Sequence, residues 1–200
     1  MRGLVWRMAV VTMAAVLVAL PAVAQETPTA FPTLERHLKA QGGYWALNNR
    51  RVAAAFNVDR KRLGDKFVPE LMRYLGDDPE KHYWIASYLS SDYYLQGSKP
   101  MPYLARLISE QGIHLCRAKG TQDARAQEVS LSVVAAVESY HLGLAHLACV
   151  HKTRAEFLMK REPILVGAMP AMTEENHKVY DGIKLLKAPA VAADAKKEGD

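Results

Sequence analysis

Residues 67–89 read FVPELMRYLGDDPEKHYWIASYL, and the punctuation in the middle of this stretch decides what kind of fold the chain builds. Phe67, Leu71 and Leu75 recur every fourth residue, the spacing that places apolar side chains on one face of a helix. Gly76 can close that helix in a left-handed cap, Asp78 can accept from the first unpaired N–H groups of a second helix, and Pro79 falls at its first position, where a missing N–H costs nothing. The second helix turns Trp84, Ile85, Tyr88 and Leu89 inward. Two helices joined by a tight turn are therefore predicted.

The same period continues outward in both directions, and the alternation of a strand does not appear. Upstream, Leu34 and Leu38 mark a short helix ending at Gly42-Gly43, and residues 44–56 a second one. Asp59 is placed as the N-cap of a third helix through Leu63, Phe67, Leu71 and Leu75, kinked or restarted at Pro69. Downstream, Pro100 and Pro102 open a helix carrying Leu104, Leu107, Ile108 and Leu115, which Gly120 terminates. Thr121 caps the longest element, in which Val129, Val133, Val137, Tyr140, Leu144 and Leu147 follow by threes and fours to about His151. A further helix covers 154–161, and a last one, capped by Thr173 with Glu174 and Glu175 in its first turn, runs to about Leu186. The fold class expected is all-α: antiparallel helix pairs packed as a short α-solenoid-like or irregular helical bundle of about seven or eight helices. Val133, Val137, Leu144, Leu71, Leu75, Trp84 and Leu107 are expected to share one core.

Residues 67–89 resemble one unit of a HEAT-type helical repeat, with a Pro-bearing first helix, a Gly-Asp-x-Pro turn, and an Ala between large apolar residues on the second helix. The stretch PYLARL at 102–107 resembles the opening of a second unit, and residues 156–163 part of a third. The resemblance implies stacked helix pairs and a role in binding other macromolecules, not in catalysis. It carries over no functional residue, because such repeats are defined by their core positions.

The ends of the chain point to a compartment. Arg2 and Arg7 precede an uncharged run, residues 8–20, which leads into Pro21 and the small-residue triplet Ala22-Val23-Ala24. These are the three parts of a secretory signal peptide, and the run is shorter than the roughly 18–20 apolar residues that span a bilayer. Cleavage after Ala24 and Sec-type export to the periplasm or beyond are predicted, the alternative being an uncleaved anchor. No cysteine follows the apolar run, no twin arginine precedes it, and no Asn-x-Ser/Thr sequon occurs in the chain, which favours a bacterial envelope. The expected organisation is a signal peptide over 1–24, a disordered Thr/Pro-rich segment over 25–32, one helical domain over 33–186, and a disordered tail, KAPAVAADAKKEGD, over 187–200. Without Arg2 and Arg7 the 26 basic residues become 24 against 21 acidic ones. That balance is no nucleic-acid footprint.

Several side chains are candidates for chemistry. Cys116 and Cys149 would meet an oxidising compartment. A continuous helix to His151 would hold them about 40 Å apart at 1.5 Å per residue, and only a break near 140–143 could bring them together. Glu138 and His141 share a helix face at i, i+3, as do His146 and Cys149, so either pair could chelate zinc or iron. Glu-x-x-His is half of a di-iron bundle motif, and no second copy is found. His114 and Cys116 are the remaining zinc-type side chains that could join His146 and Cys149. Tyr83, Trp84, Tyr88, Tyr93 and Tyr94, with Tyr44 and Trp45, could stack on a sugar. Trp84 and Tyr88 lie on the apolar face, which leaves Tyr93 and Tyr94 as surface candidates. Arg50, Arg51, Arg60, Lys61 and Arg62 form the densest basic stretch, suited to lipid headgroups or an acidic polymer or simply to solvent. No phosphate-binding Gly loop, Gly-x-Ser-x-Gly elbow, His-Glu-x-x-His or Cys-x-x-Cys occurs.

The reading that results is an exported, noncatalytic helical domain with no resident cofactor. It binds a protein or envelope component through its surface, touching the membrane only if the first segment is retained. The alternative is a metal-dependent or other envelope enzyme with its site around Glu138 to His151. N-terminal sequencing of the exported protein is expected to recover Gln25 as the first residue; recovery of Met1 would replace the signal peptide with an anchor.

Overall fold

The computed structural model describes residues 29–43, 50–90, 100–170 and 172–186. The signal segment, Tyr44, Trp45, Tyr93, Tyr94 and the C-terminal tail lie outside the described residues. The fold is all-α, with eight α-helices and no strand among the described residues: α1 Pro32–Gln41, α2 Arg50–Leu63, α3 Phe67–Leu75, α4 Pro79–Ser90, α5 Pro102–Lys119, α6 Gln122–His141, α7 Ala145–Arg161 and α8 Glu174–Gly182. Short 3-10 turns at Gly64–Lys66 and Pro163–Ala168 connect α2 to α3 and extend α7.

The predicted punctuation mostly holds. Gly42 closes α1 and Gly120 closes α5, both in the left-handed region. Thr121 and Thr173 accept from the N–H groups of Ala124 and Asn176, each at 3.2 Å. Asp78 Oδ1 accepts from Glu80 N–H at 3.0 Å. Gly76 differs from the expected cap: its φ of +52° comes with ψ of −138°, a glycine-favoured position at the second residue of a β-turn that Asp78 N–H closes onto Leu75 O. Pro69 starts nothing by itself. It sits third in α3, within the first turn, where its missing N–H breaks no helical bond.

Asp59 was expected to cap its own helix and instead caps another. It lies inside α2, fully buried, and its Oδ2 accepts from the N–H groups of Thr33 and Leu34 at 2.9 and 2.8 Å. Phe31 just before α1 has no capping side chain, so the carboxylate arrives from the neighbouring helix, where the α1 dipole favours negative charge. Phe31 also belongs to the core, stacked on Phe56 at 5.8 Å, so the segment expected to be loose to residue 32 already contributes packing.

The largest correction concerns the long helix. It ends at His141 and the chain reverses through Leu142, Gly143 and Leu144. Gly143 adopts φ +75°, its N–H bonds Tyr140 O at 2.9 Å, and Leu144 N–H reaches back to Ser139 O at 2.8 Å. This paired closure needs a positive φ that glycine supplies without strain. Apolar spacing continued across the break, so periodicity alone ran two helices together. Leu144 is consequently exposed at 39%, and α7 absorbs the separate helix expected over 154–161. The last helix stops at Gly182, earlier than expected.

The helices form two hydrophobic clusters on either side of α6. Leu71 and Leu75 lie in one with Phe31, Phe56, Tyr88 and Ile108, and Val133 and Val137 lie in the other with Ala148, Leu158 and Tyr180. Trp84 and Leu107 are half-buried, so the single shared core expected from the pattern is replaced by two. Residues 128–139 of α6 are all buried. A helix covered on every side has no polar face to spare, and its neighbours approach closely where side chains are small.

A close approach occurs at Gly112 of α5. A Cβ there would lie 2.8 Å from His82 Cβ on α4 and 2.8 Å from Leu131 Cδ1 on α6. Leu131 can rotate, but His82 Cβ moves only with its backbone. Gly182 at the end of α8 has nothing within 4 Å of the same position. Alanine normally gains about 1 kcal/mol over glycine in a helix, whereas overpacking a close-packed site costs about 1–3 kcal/mol. Gly112→Ala is therefore expected to lower Tm by roughly 2–6 °C for a domain of this size, while Gly182→Ala leaves it unchanged or raises it. Equal effects in thermal melts followed by circular dichroism would disprove the contact.

Candidate functional site

The C-terminal half of α6 forms one wall of a cleft. Ser90 at the end of α4, Pro100 and Pro102 before and at the start of α5, Glu138 and His141 of α6, and Thr173, Glu175 and Asn176 at the start of α8 enclose about 450 Å³. Ser90, Glu138 and Asn176 also line a smaller recess of about 20 Å³ with Ser87, Val134, Val137, Pro170 and Met172. That recess has room for about one water-sized group. Glu138 is 1% exposed at the junction of the two spaces, and Ser87 Oγ, also buried, has no hydrogen-bond partner among the described residues. The i, i+3 spacing of Glu138 and His141 thus brings both to one cavity.

The wall opposite α6 is held by polar contacts. His141 Nε2 lies 3.0 Å from Asn176 Oδ1, tying the end of α6 to α8. Lys152 on α7, only 7% exposed, donates to the carbonyls of Tyr180 and Asp181 at 2.7 and 3.1 Å, and its ammonium sits over the Tyr180 ring. A cation at the C-terminal end of α8 satisfies carbonyls that the helix itself leaves unpaired. Burial raises the Tyr180 hydroxyl above its ordinary range, reinforced by Glu156. The hydroxyl thus stays protonated and donates to Glu156 Oε1 at 3.4 Å.

The other candidates are scattered. His146 is exposed and Cys149 half-buried on α7, across the turn from Glu138 and His141, so the four metal-type side chains no longer share a helix. His114 is exposed while Cys116 is buried, on opposite sides of α5. Among the described residues no three His, Cys, Asp or Glu side chains converge as metal ligands. His151 Nε2 lies 3.3 Å from Glu110 Oε1, which Arg106 also contacts; burial lowers the His151 pKa against the opposing pull of Glu110, so the ring engages as a neutral hydrogen-bonding group. Tyr88 is core, its ring edge-on to Phe56 and its hydroxyl donating to Ala53 O at 3.3 Å. Arg50 and Arg51 are exposed at the start of α2, far along the chain from the cleft. Spacing pointed to Glu138 and His141, but nothing in the pattern marked Ser87, Ser90 or Asn176, which converge only through the packing of α4 and α8 on α6.

The helix break that could have joined the cysteines does not do so. Both are free: Cys116 lies within the first cluster and Cys149 packs against the second, with α6 between. Burial and the Glu128 carboxylate push the Cys116 thiol up to about 12, and burial pushes the Tyr88 hydroxyl to about 12. Each group is more acidic unfolded than folded, so each contributes stability in full below its unfolded pKa and loses it as pH rises through the folded value. Stability is expected to fall from about pH 9 toward 12. In the native protein at neutral pH, a thiol reagent should modify Cys149 first and reach Cys116 only on unfolding; equal labelling rates would contradict the burial of Cys116.

Among the described residues no helix is long and apolar enough to cross a membrane. Comparison of the chain with protein-family models, curated proteins and solved structures finds no match.

Proposed function

We propose that this protein is an exported, noncatalytic binding domain whose ligand enters the cleft above Glu138 and presents a basic or strongly hydrogen-bond-donating group to it. The observation that carries this reading is the position of Glu138, buried to 1% on the wall shared by the cleft and its inner recess. The cleft volume of about 450 Å³ lies within the range of small-ligand sites. Glu138 already engages another group, and a donor from the ligand would add to that contact through Oε1 in a space withdrawn from water, where hydrogen bonds are stronger than at the surface. The recess holds one compact group, so an ammonium suits it better than a planar guanidinium. Glu175 at the rim adds a second acidic group, and Pro100 and Pro102 offer apolar contact to the rest of the molecule. A free amine or a lysine side chain of a partner protein fits this description. The helix pair α3–α4, with its HEAT-type resemblance, favours a protein or envelope component as that partner. The signal-like residues 1–24 support delivery to the cell envelope.

A second reading rests on Glu138 and His141 lining the same cleft, which suits an envelope enzyme that draws further ligands to zinc or iron. Elemental analysis of the purified mature protein separates the two, since stoichiometric metal would favour the enzyme.

A ligand at 100 times its Kd stabilises the folded state by about 2.7 kcal/mol, which corresponds to roughly 5–10 °C in Tm at this chain length. Thermal-shift measurements against panels of amines, carboxylates and neutral sugars are expected to give such shifts with amines only. Glu138→Gln should abolish them and Glu175→Gln at the exposed rim should weaken them. Shifts produced by carboxylates or sugars, or shifts that survive both substitutions, would reject the cleft as the binding site.

A further inference from the structure

We propose that the turn after α7 is an insertion point for an anionic lipid bilayer. Ile164 and Val166 of the 3-10 turn Pro163–Ala168 are exposed at 73% and 57%, and Ile164 is the most exposed large apolar side chain among the described residues. Leu165 between them is 2% exposed and packs in the second cluster, so the turn is anchored by its middle residue and holds both neighbours outward. Its ends are fixed as well. Leu165 N–H donates to Glu162 O at 2.9 Å, and Ser130 Oγ of α6 donates to Ala168 O at 2.5 Å. Gly167 beside Val166 is exposed, and a Cβ there would meet nothing within 4 Å. Phe157, 51% exposed, adds apolar surface about one turn before the end of α7.

The charges around this tip leave positive groups uncommitted. Lys160 and Arg161, in the last turn of α7, are exposed and have no ion-pair partner among the described residues. The charged groups nearest to them along the chain are engaged elsewhere: Glu162 with Arg125 at 2.8 Å, Glu156 with the Tyr180 hydroxyl, and Arg154 with Glu128. The Arg125–Glu162 pair places the start of α6 at the same end of the fold. There the exposed Asp123 is offset by the exposed Lys119 at the end of α5. Lys160 and Arg161 therefore give the apolar tip a positive rim.

The size and charge of this feature choose its partner. A stable protein interface covers about 800 Å² on each side, far more than one projecting turn of six residues offers. A bilayer requires no matching contour and takes up side chains at a point. The rim cations meet lipid phosphates, their stems lying along the interface, while Ile164 and Val166 enter the acyl boundary. An acidic polymer would engage Lys160 and Arg161 and leave Ile164 in water. Among the described residues no helix can cross a membrane, so the contact is peripheral. It needs neither the cleft nor a retained leader, and it extends membrane association to the cleaved chain.

The test is sedimentation of the exported, processed chain with vesicles of phosphatidylcholine alone or mixed with phosphatidylglycerol. Stronger binding to the mixed vesicles is expected, weakened by high salt. Each cation near such a surface is worth about fivefold in partitioning, so Lys160→Gln/Arg161→Gln should reduce binding on the order of 25-fold. Ile164→Ser should reduce it on the order of tenfold by removing apolar burial, and Gly167→Leu should raise it by a similar factor. Circular dichroism melts confirm that each variant folds, and Ile164→Ser alone, at the most exposed site, serves if the double variant does not. No binding to the mixed vesicles, equal binding to both types, or no response to Ile164→Ser would overturn the proposal. Dimers in analytical ultracentrifugation that Ile164→Ser dissolves, without vesicle binding, would overturn it in favour of a second copy of the chain.

Discussion

A helix with no solvent face organises this molecule. Residues 128–139 of α6 are buried without interruption, so every neighbour must be accommodated around one cylinder. Ser130, Ser132, Ala135, Ala136 and Ser139 keep that cylinder narrow, and Gly112 on α5 yields the space that Leu131 and His82 occupy. The result is a domain with two apolar clusters that share α6 as their common wall. Dispersion and apolar burial supply the bulk of the attraction. The fit at α6 decides which helices can sit together.

Polar groups then fix the position of helices that apolar contact alone would leave free to slide. Glu128, 2% exposed on α6, accepts from Arg117 Nε of α5 and Arg154 Nε of α7, both at 2.8 Å. The two arginine heads keep access to water, so this triad is less costly to bury than a fully enclosed one. Asp59 holds the start of α1 in the same manner, and Lys152 holds the end of α8. In each case a buried charged side chain answers backbone groups or charges on another helix, the condition under which such a side chain can be buried at all. Lys152 also bears on the shape of the cleft, because α8 forms the cleft wall opposite Glu138. The cleft therefore depends on contacts made well outside it.

What the sequence determined by itself is local. Helical class, the closures at Gly42 and Gly120, and the caps at Thr121, Thr173 and Asp78 were legible because each depends on the conformational preference of one residue and on hydrogen bonds within a few positions of it. The Glu138 and His141 pairing was legible for the same reason, being one turn of one helix. The rest was decided only in three dimensions. An apolar period that runs through Gly143 cannot reveal that the chain reverses there, since Leu144 and Leu147 fit a continuing helix equally well. Asp59 looks like a local cap until α1 places two unpaired N–H groups beside it. Ser87, Ser90 and Asn176 converge on Glu138 because the end of α4 and the start of α8 both meet the C-terminal half of α6, and side-chain periodicity carries no record of which helices become neighbours.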